Sequence, residues 1–418
     1  MDSDDAIKAT RVGHEAAQSH AKGCITWLEQ RVMKKSIPIP ESMKSTPDTL
    51  AFHLQHPDVD AITYTQKRRR DWGRQAASKR RIYLDTKYWI YVRDVYLGRE
   101  QKPIHVQIAS ELRRLRECGS TICPISYPVF AELLYQTDKA TRRATAKMID
   151  ELSGGFAIQP PDQLFSCEFV YFYHRIIHPH VELIPIEQMV WTHVGFVLGD
   201  TFISLDDNSV DPLVANAIQK AMDDVLWSCS FEDMVEVMPL SDGTDQRVNH
   251  DLASKLTSGK FEHQKAKDQF HSLFLDEVDG VLESHHLAIG EYLQQQAVLE
   301  GKSVEGTSKP ELCFAGKMLS RMIREAFRNK QITTEMPSVS IPAALHALVR
   351  LDRTRNYKKG DFEDFRHATS AIGYCDMFLT EASLRHLVYD SNFGCESNYQ
   401  CVVLSDCQQI YESLSRLS

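Results

Sequence analysis

The chain has 418 residues, 43% of them hydrophobic and 25% charged, with 48 Lys and Arg against 57 Asp and Glu, a net charge of −9. That is the composition of a globular protein with room for two or three domains, and the negative balance argues against one that coats nucleic acid indiscriminately. No apolar run approaches a membrane span, the acidic start Met1-Asp-Ser-Asp-Asp lacks the apolar core of a secretory leader, and ten cysteines without CxxC pairs predict cytoplasmic thiols rather than a disulfide framework.

In chain order, Ala6, Ile7, Val12, Ala16, Cys24, Leu28 and Val32 recur at helical spacing and predict a helix over 4–34, ended by the Pro-containing stretch 36–41. Residues 42–80 are mixed and polar and give no clear order. Within them starts a basic run of Lys67, Arg68, Arg69, Arg70, Arg74, Lys79, Arg80 and Arg81 against a lone Asp71. It reads either as a phosphate-steering patch or as a solvated helix face.

Ile82 to Leu84 is a short apolar strand with Asp85 at its C-terminal end. Val106, Ile108, Leu112 and Leu115 mark a helix, and a strand follows at 121–125. Pro128 fits the first turn of the next helix, and Glu132 lies one turn in. Another helix runs through Met148, Ile149 and Leu152 to Gly154-Gly155. Residues 166–335 break this rhythm and read as mainly helical, with long segments around 211–228, 262–300 and 311–329 and a loop at 301–310. No internal repeat is visible.

Alternation resumes with a helix at 361–372, a strand at 377–379, a strand at 400–404 and a closing helix for which Ser405 and Gln408 have capping-box spacing. Strand and helix alternating on both sides of the insert predict a parallel sheet with helices on both faces. Such sheets work at the C-terminal ends of their strands, where Asp85 falls.

Asp85, Glu132 and Asp364 thus come from a strand end and two helices. Asp361 shares a helix face with Asp364, and Asp376 and Glu381 bracket the next strand. Carboxylates gathered together repel unless a cation sits among them, and hard divalent ions prefer oxygen ligands. An acid at each of these positions also serves as a cap or turn residue. The ordered set, rather than any single member, points to metal-assisted phosphate chemistry. Among other groups, His174, His178 and His180 lie close together without a further ligand at zinc spacing, as do His285 and His286. His367, one turn after Asp364, reads as a partner of the acids rather than a ligand. Cys375 has no base in range, and no Walker or dinucleotide glycine pattern occurs.

The segments Ile82-Tyr-Leu-Asp85-Thr86, Ile125-Ser-Tyr-Pro-Val-Phe-Ala-Glu132 and Asp364-Phe-Arg-His…Asp376-Met-Phe-Leu-Thr380 resemble the PIN domain, a family of metal-dependent nucleases. The resemblance covers 82–165 and 335–418. It implies a three-layer α/β/α core with a mainly parallel sheet, cut by a mainly helical insert. The chain then divides into an N-terminal helical extension (1–81), a first core part (82–165), the insert (166–335) and a second core part (336–418). It further implies that Asp85, Glu132 and Asp364, with Asp376, hold Mg²⁺ or Mn²⁺, with Asp361, Glu381, Thr86, Thr380 and His367 in support. The basic run, Lys87 and Arg93 would guide a nucleic acid, RNA before DNA.

The implied activity is a cytoplasmic endoribonuclease that leaves 5′-phosphate ends, with a toxin or defence role by fold analogy. A protein inhibitor, an activator or a second copy would dock on the insert. Two departures are plain: Lys87 stands where the family usually has Asn, and Ala382 where an acid is common. They favour the alternative of a degenerate PIN-like scaffold that binds RNA or protein. A phosphatase with Asp85 as nucleophile is the third reading, against which Lys87 also counts.

Overall fold

The computed structural model describes residues 49–417 apart from 101, 181, 201–209, 239–243, 264–268, 305 and 333. The helix expected over 4–34 and the stretch after it lie outside the described residues. The polar region before the first strand is helical: α1 (Leu50–Gln55) and α2 (Ala61–Ala77). Asp60 starts α2 by accepting the Thr63 N–H at 2.9 Å.

β1 (Arg80–Leu84) follows, and Asp85 ends it by capping α3 (Thr86–Tyr96), a helix the apolar spacing did not announce. Next come α4 (Pro103–Glu117), β2 (Thr121–Ile122), α5 (Tyr127–Leu133) and α6 (Lys139–Ser153). The strand expected over 121–125 is a ladder at its first two residues only; Ile125 instead bridges Ala157. Pro128 does sit in the first turn of α5, where its missing N–H costs nothing.

Beyond α6, β3 (Phe156–Ile158) leads into α7 (Pro161–Ile177), α8 (Ile186–Met189) and β4 (Trp191–His193). β3 and β4 pair antiparallel, so the largely helical insert also supplies a strand. Its remaining helices are α9 (Pro212–Ser228), α10 (Phe231–Val237), α11 (Thr244–His263), α12 (Phe270–Ser284), α13 (His286–Leu299) and α14 (Lys309–Arg328). The expected segment 262–300 is thus broken at His285. Ser230 with Asp233 and Ser308 with Glu311 form capping boxes that start α10 and α14.

The last third comprises α15 (Pro337–Leu351), α16 (Asp361–Tyr374), β5 (Met377–Leu379), α17 (Ala382–Val388), α18 (Cys395–Asn398), β6 (Val402–Leu404) and α19 (Cys407–Ser415). The closing helix is capped by Asp406, which accepts the Gln409 N–H at 2.9 Å, and not by Ser405.

The chain is therefore α/β, mostly helical, around a small four-stranded sheet in the order β2-β1-β5-β6. Every pairing in it is parallel. Ile82 stands beside Met377 and Leu84 beside Leu379, while Leu379 stands beside Leu404. Ile82, Tyr83 and Leu84 are all fully buried, because a parallel strand covered by helices has no wet face. Each such aliphatic side chain stabilises the fold by about 1.5–3 kcal/mol. The main buried cluster runs from Ala76 to Leu414 and takes in Trp191, Phe231 and Leu252 of the insert. The sheet's C-terminal edge is consequently held from both sides, and Asp85 ends β1 there.

Candidate active site

Asp85 leaves β1 at that edge. Its N–H continues the ladder to Leu379 O at 3.1 Å, and its carboxylate accepts the Tyr88 N–H at 3.4 Å. The neighbouring strand ends at the same level in Thr380, which is buried and hydrogen-bonds the Asp85 side chain. Burial pushes the Asp85 carboxyl up to about 6, although the nearby His367 charge and the Thr380 hydroxyl oppose this.

Asp364 lies in the first turn of α16. Burial pushes its carboxyl up to about 7; His367 opposes the rise, while Asp85, Glu381 and Asp361 add to it by like-charge repulsion. Asp85 and Asp364 are thus electrostatic neighbours, and together they resist double ionisation.

Glu132, on α5, is engaged differently. The Thr86 hydroxyl donates to its Oε2, and His367 Nε2 lies 3.0 Å from the same oxygen. Burial works against its charge, but His367 and Thr86 outweigh burial and hold the carboxyl below the usual range. His367 is itself buried. Its pKa is raised because Glu132, then Asp85 and Asp364, overcome the cost of burying its charge. Its other ring nitrogen, Nδ1, lies 2.7 Å from the Tyr83 hydroxyl, which lies 2.5 Å from Ser126 Oγ. A line of four groups, Ser126, Tyr83, His367 and Glu132, therefore crosses beneath the carboxylates. Sequence reasoning missed Tyr83 and Ser126. Inside an apolar triplet and a helix start, nothing marks a tyrosine or serine as more than core or cap.

Other expected site residues fall elsewhere. Asp376 precedes β5, so it sits at the opposite end of the parallel strands, about 13 Å from the Asp85 level at roughly 3.3 Å per residue. There it accepts the Arg81 N–H at 2.7 Å and the Arg81 guanidinium at 3.0 and 2.8 Å. It is an ion-pair partner, not a member of the carboxylate group. Asp361 is at the first position of α16 and is bound by Arg355 at 2.9 Å and the Lys358 N–H at 2.9 Å, closing the turn before the helix. Glu381 is exposed and reaches the site only through its charge.

The basic run is also placed differently from expectation. Lys79, Arg80 and Arg81 lie just before or at the start of β1, about 13 to 20 Å of strand away from Asp85 at roughly 3.3 Å per residue. Lys79 donates to Gly119 O at 2.6 Å. On α2, Arg68 pairs with Asp224 and lies 4.9 Å from the Trp227 ring, while Arg69 pairs with Asp200. Arg70 bonds Gln66 O at 3.4 Å, and Arg74 is exposed beside Asp71. Arg93 is buried and bonded to Asp94 at 2.9 Å. Lys87, at the start of α3, holds its ammonium 5.8 Å from the Tyr88 ring and 5.9 Å from the Tyr91 ring, within cation–π reach. Of the basic side chains named, Lys87 stands nearest in sequence to Asp85. His174, in turn, lies 2.7 Å from the Tyr292 hydroxyl.

The oxygen donors of Asp85 and Asp364 suit a hard divalent ion in chemistry, since two repelling carboxyls gain most from one. The full expected ligand set is not assembled. Among the described residues, no three His, Cys, Asp or Glu side chains are gathered closely enough to hold a metal ion. Glu132 gives one oxygen to Thr86 and His367. The chain matches no protein-family model, no curated protein and no solved structure.

Proposed function

We propose that the protein is a metal-dependent phosphodiester hydrolase of PIN-like design, with RNA as its substrate. The observation that carries the reading is the meeting of Asp85, Asp364 and the Glu132–His367 pair at the C-terminal edge of a parallel sheet. Asp85 and Asp364 would hold Mg²⁺ or Mn²⁺. Such an ion, when bound, shields the attacked phosphate and acidifies water.

The protein's own groups have distinct tasks. Tyr88 N–H and Thr380 fix Asp85 in place. Asp364, whose carboxyl is raised to about 7 by burial and by its acidic neighbours, gains most from holding an ion. His367, whose pKa the surrounding acids raise, holds Glu132 in position. Lys87 supplies a cation at the rim for the phosphate backbone.

The second reading is a fold that binds RNA without cutting it. Its support is the engagement of one Glu132 oxygen by both Thr86 and His367, which takes that oxygen from an ion.

The test is cleavage of labelled single-stranded RNA and DNA by the purified chain with Mn²⁺, Mg²⁺ or EDTA, beside Asp85→Asn. Ion-dependent cutting of RNA that disappears in the variant supports the hydrolase. RNA binding without cutting under any ion, unchanged in Asp85→Asn, replaces it with the scaffold.

A further inference from the structure

A cavity of about 270 Å³ lies on the far side of α16, and none of Asp85, Glu132 or Asp364 lines it. That is near the lower end of the range for small-molecule sites, roughly 300–1,000 Å³. The face of α16 that lines it carries Phe362, Phe365, Arg366 and Thr369. At 3.6 residues per turn this face is opposite the one bearing Asp364 and His367. One helix therefore has the carboxylate cluster on one side and the cavity on the other.

The remaining walls are chiefly apolar. Pro160 and Phe165 of the α7 start, Leu256 of α11 and Val281 of α12 contribute, and the Phe165 ring stacks on His285 at 3.7 Å. Polar side chains stand among them, Gln159, Gln163 and Ser370 included. Arg366 is bonded to Glu363 through Nη1 at 2.8 Å, leaving guanidinium N–H groups over, and its side chain is 28% exposed. Ser338 and Pro342 also line the cavity. Among the described residues, the side-chain Oε1 of Gln163 is buried without a hydrogen-bond partner.

The charge balance excludes an anion. Glu363 already neutralises Arg366, while Asp162 stands at the cavity and Asp200 is paired with Arg69. His346 adds no charge, because burial pushes its pKa down to about 4. We infer that the cavity binds a small, uncharged ring compound bearing a carboxamide, its carbonyl accepting from Arg366 and its N–H donating to Gln163 Oε1. The ring lies among Phe165, Phe362 and Phe365. Such a ligand presses on α16 from behind. Its effect on the carboxylate cluster rests on the hydrolase reading; binding itself does not.

The test uses benzamide as the neutral probe and benzoate as its charged counterpart, with binding to the full chain followed by ligand-observed NMR. Saturable binding of benzamide, with benzoate weaker by about tenfold or more, is expected. Thr369→Trp and Leu256→Trp, which fill the cavity from two different walls, are each expected to weaken benzamide by about tenfold or more. Amide hydrogen exchange on the wild type is the second measurement, and benzamide is expected to slow exchange in α15 and α16. No saturable binding of benzamide overturns the inference, as does benzoate binding equally well. So does undiminished binding in either filled variant, or protection confined to segments away from the cavity. None of these readouts needs turnover, so failure of the hydrolase reading would leave them standing.

Discussion

His367 Nε2 lies 3.0 Å from Glu132 Oε2, joining two buried helices 235 positions apart in the chain. Glu132 raises the pKa of His367, so the pair favours a proton at the place where a cation was expected. Replacing His367 with Ala removes that pair, leaving Glu132 with Thr86 alone and the Tyr83 hydroxyl with Ser126 alone. The expected cost is about 1–3 kcal/mol of unfolding free energy, measured by urea denaturation. A loss below a few tenths of a kcal/mol would show that the pair holds nothing together.

Asp85→Asn and Asp364→Asn are expected to lower kcat/KM for RNA cleavage at fixed Mn²⁺ by more than about 100-fold, beyond what loss of a supporting group causes. Asp376→Asn is expected to leave the rate within about threefold of wild type while lowering stability by about 1–2 kcal/mol, because Arg81 loses its charged partner at a half-covered site. Equal rate losses in Asp376→Asn and Asp85→Asn would contradict the opposite-ends geometry.

The arginines of α2 test the nature of the basic run. Arg68→Gln and Arg69→Gln are expected to lower the denaturation midpoint, since each breaks a pair to Asp224 or Asp200. They are not expected to change the salt slope of RNA binding, which counts phosphate contacts. A slope reduced by about one in either variant would return that arginine to the nucleic-acid surface.

Glu168 offers a pH test away from the acids of the site. It is fully buried, accepts from Ser338 N–H at 2.9 Å and from the Ser338 and Tyr374 hydroxyls, and burial raises its carboxyl to about 8. The folded state therefore holds this proton more tightly than the unfolded one, whose carboxyl titrates near 4.5. Its contribution is complete below pH 4.5 and is lost as pH rises through about 8, at about 1.4 kcal/mol per unit. Glu168→Gln is expected to flatten unfolding free energy against pH across that window. An unchanged slope would mean that Glu168 is not the group titrating there.

The parts of this architecture that show in the sequence are those where a short apolar triplet meets a polar boundary. Ile82 to Leu84 followed by Asp85, and Met377 to Leu379 followed by Thr380, mark both strand ends that frame the site, and α16 was placed to within two residues of its end. Asp376 misled because it lies before its strand and Asp85 after; in a parallel sheet those are opposite edges, a distinction the triplets alone could have supplied. β3 and β4 have three residues each, too few to show alternation. The carboxylates that occupy the basic run, at 200, 224 and 376, are distant in sequence, and no local pattern reveals them.

The two central strands of the sheet have a further meaning for how the protein is made. The Tyr83 hydroxyl meets His367 across 284 positions, and β1 finds β5 only after the whole intervening chain exists. At roughly 5–20 residues per second, synthesis takes on the order of a quarter of a minute to a minute to bridge that gap. A ribosome-bound chain that has made only Asp85 and Glu132 thus lacks Asp364 and His367, and the group they form assembles only when the chain is nearly finished.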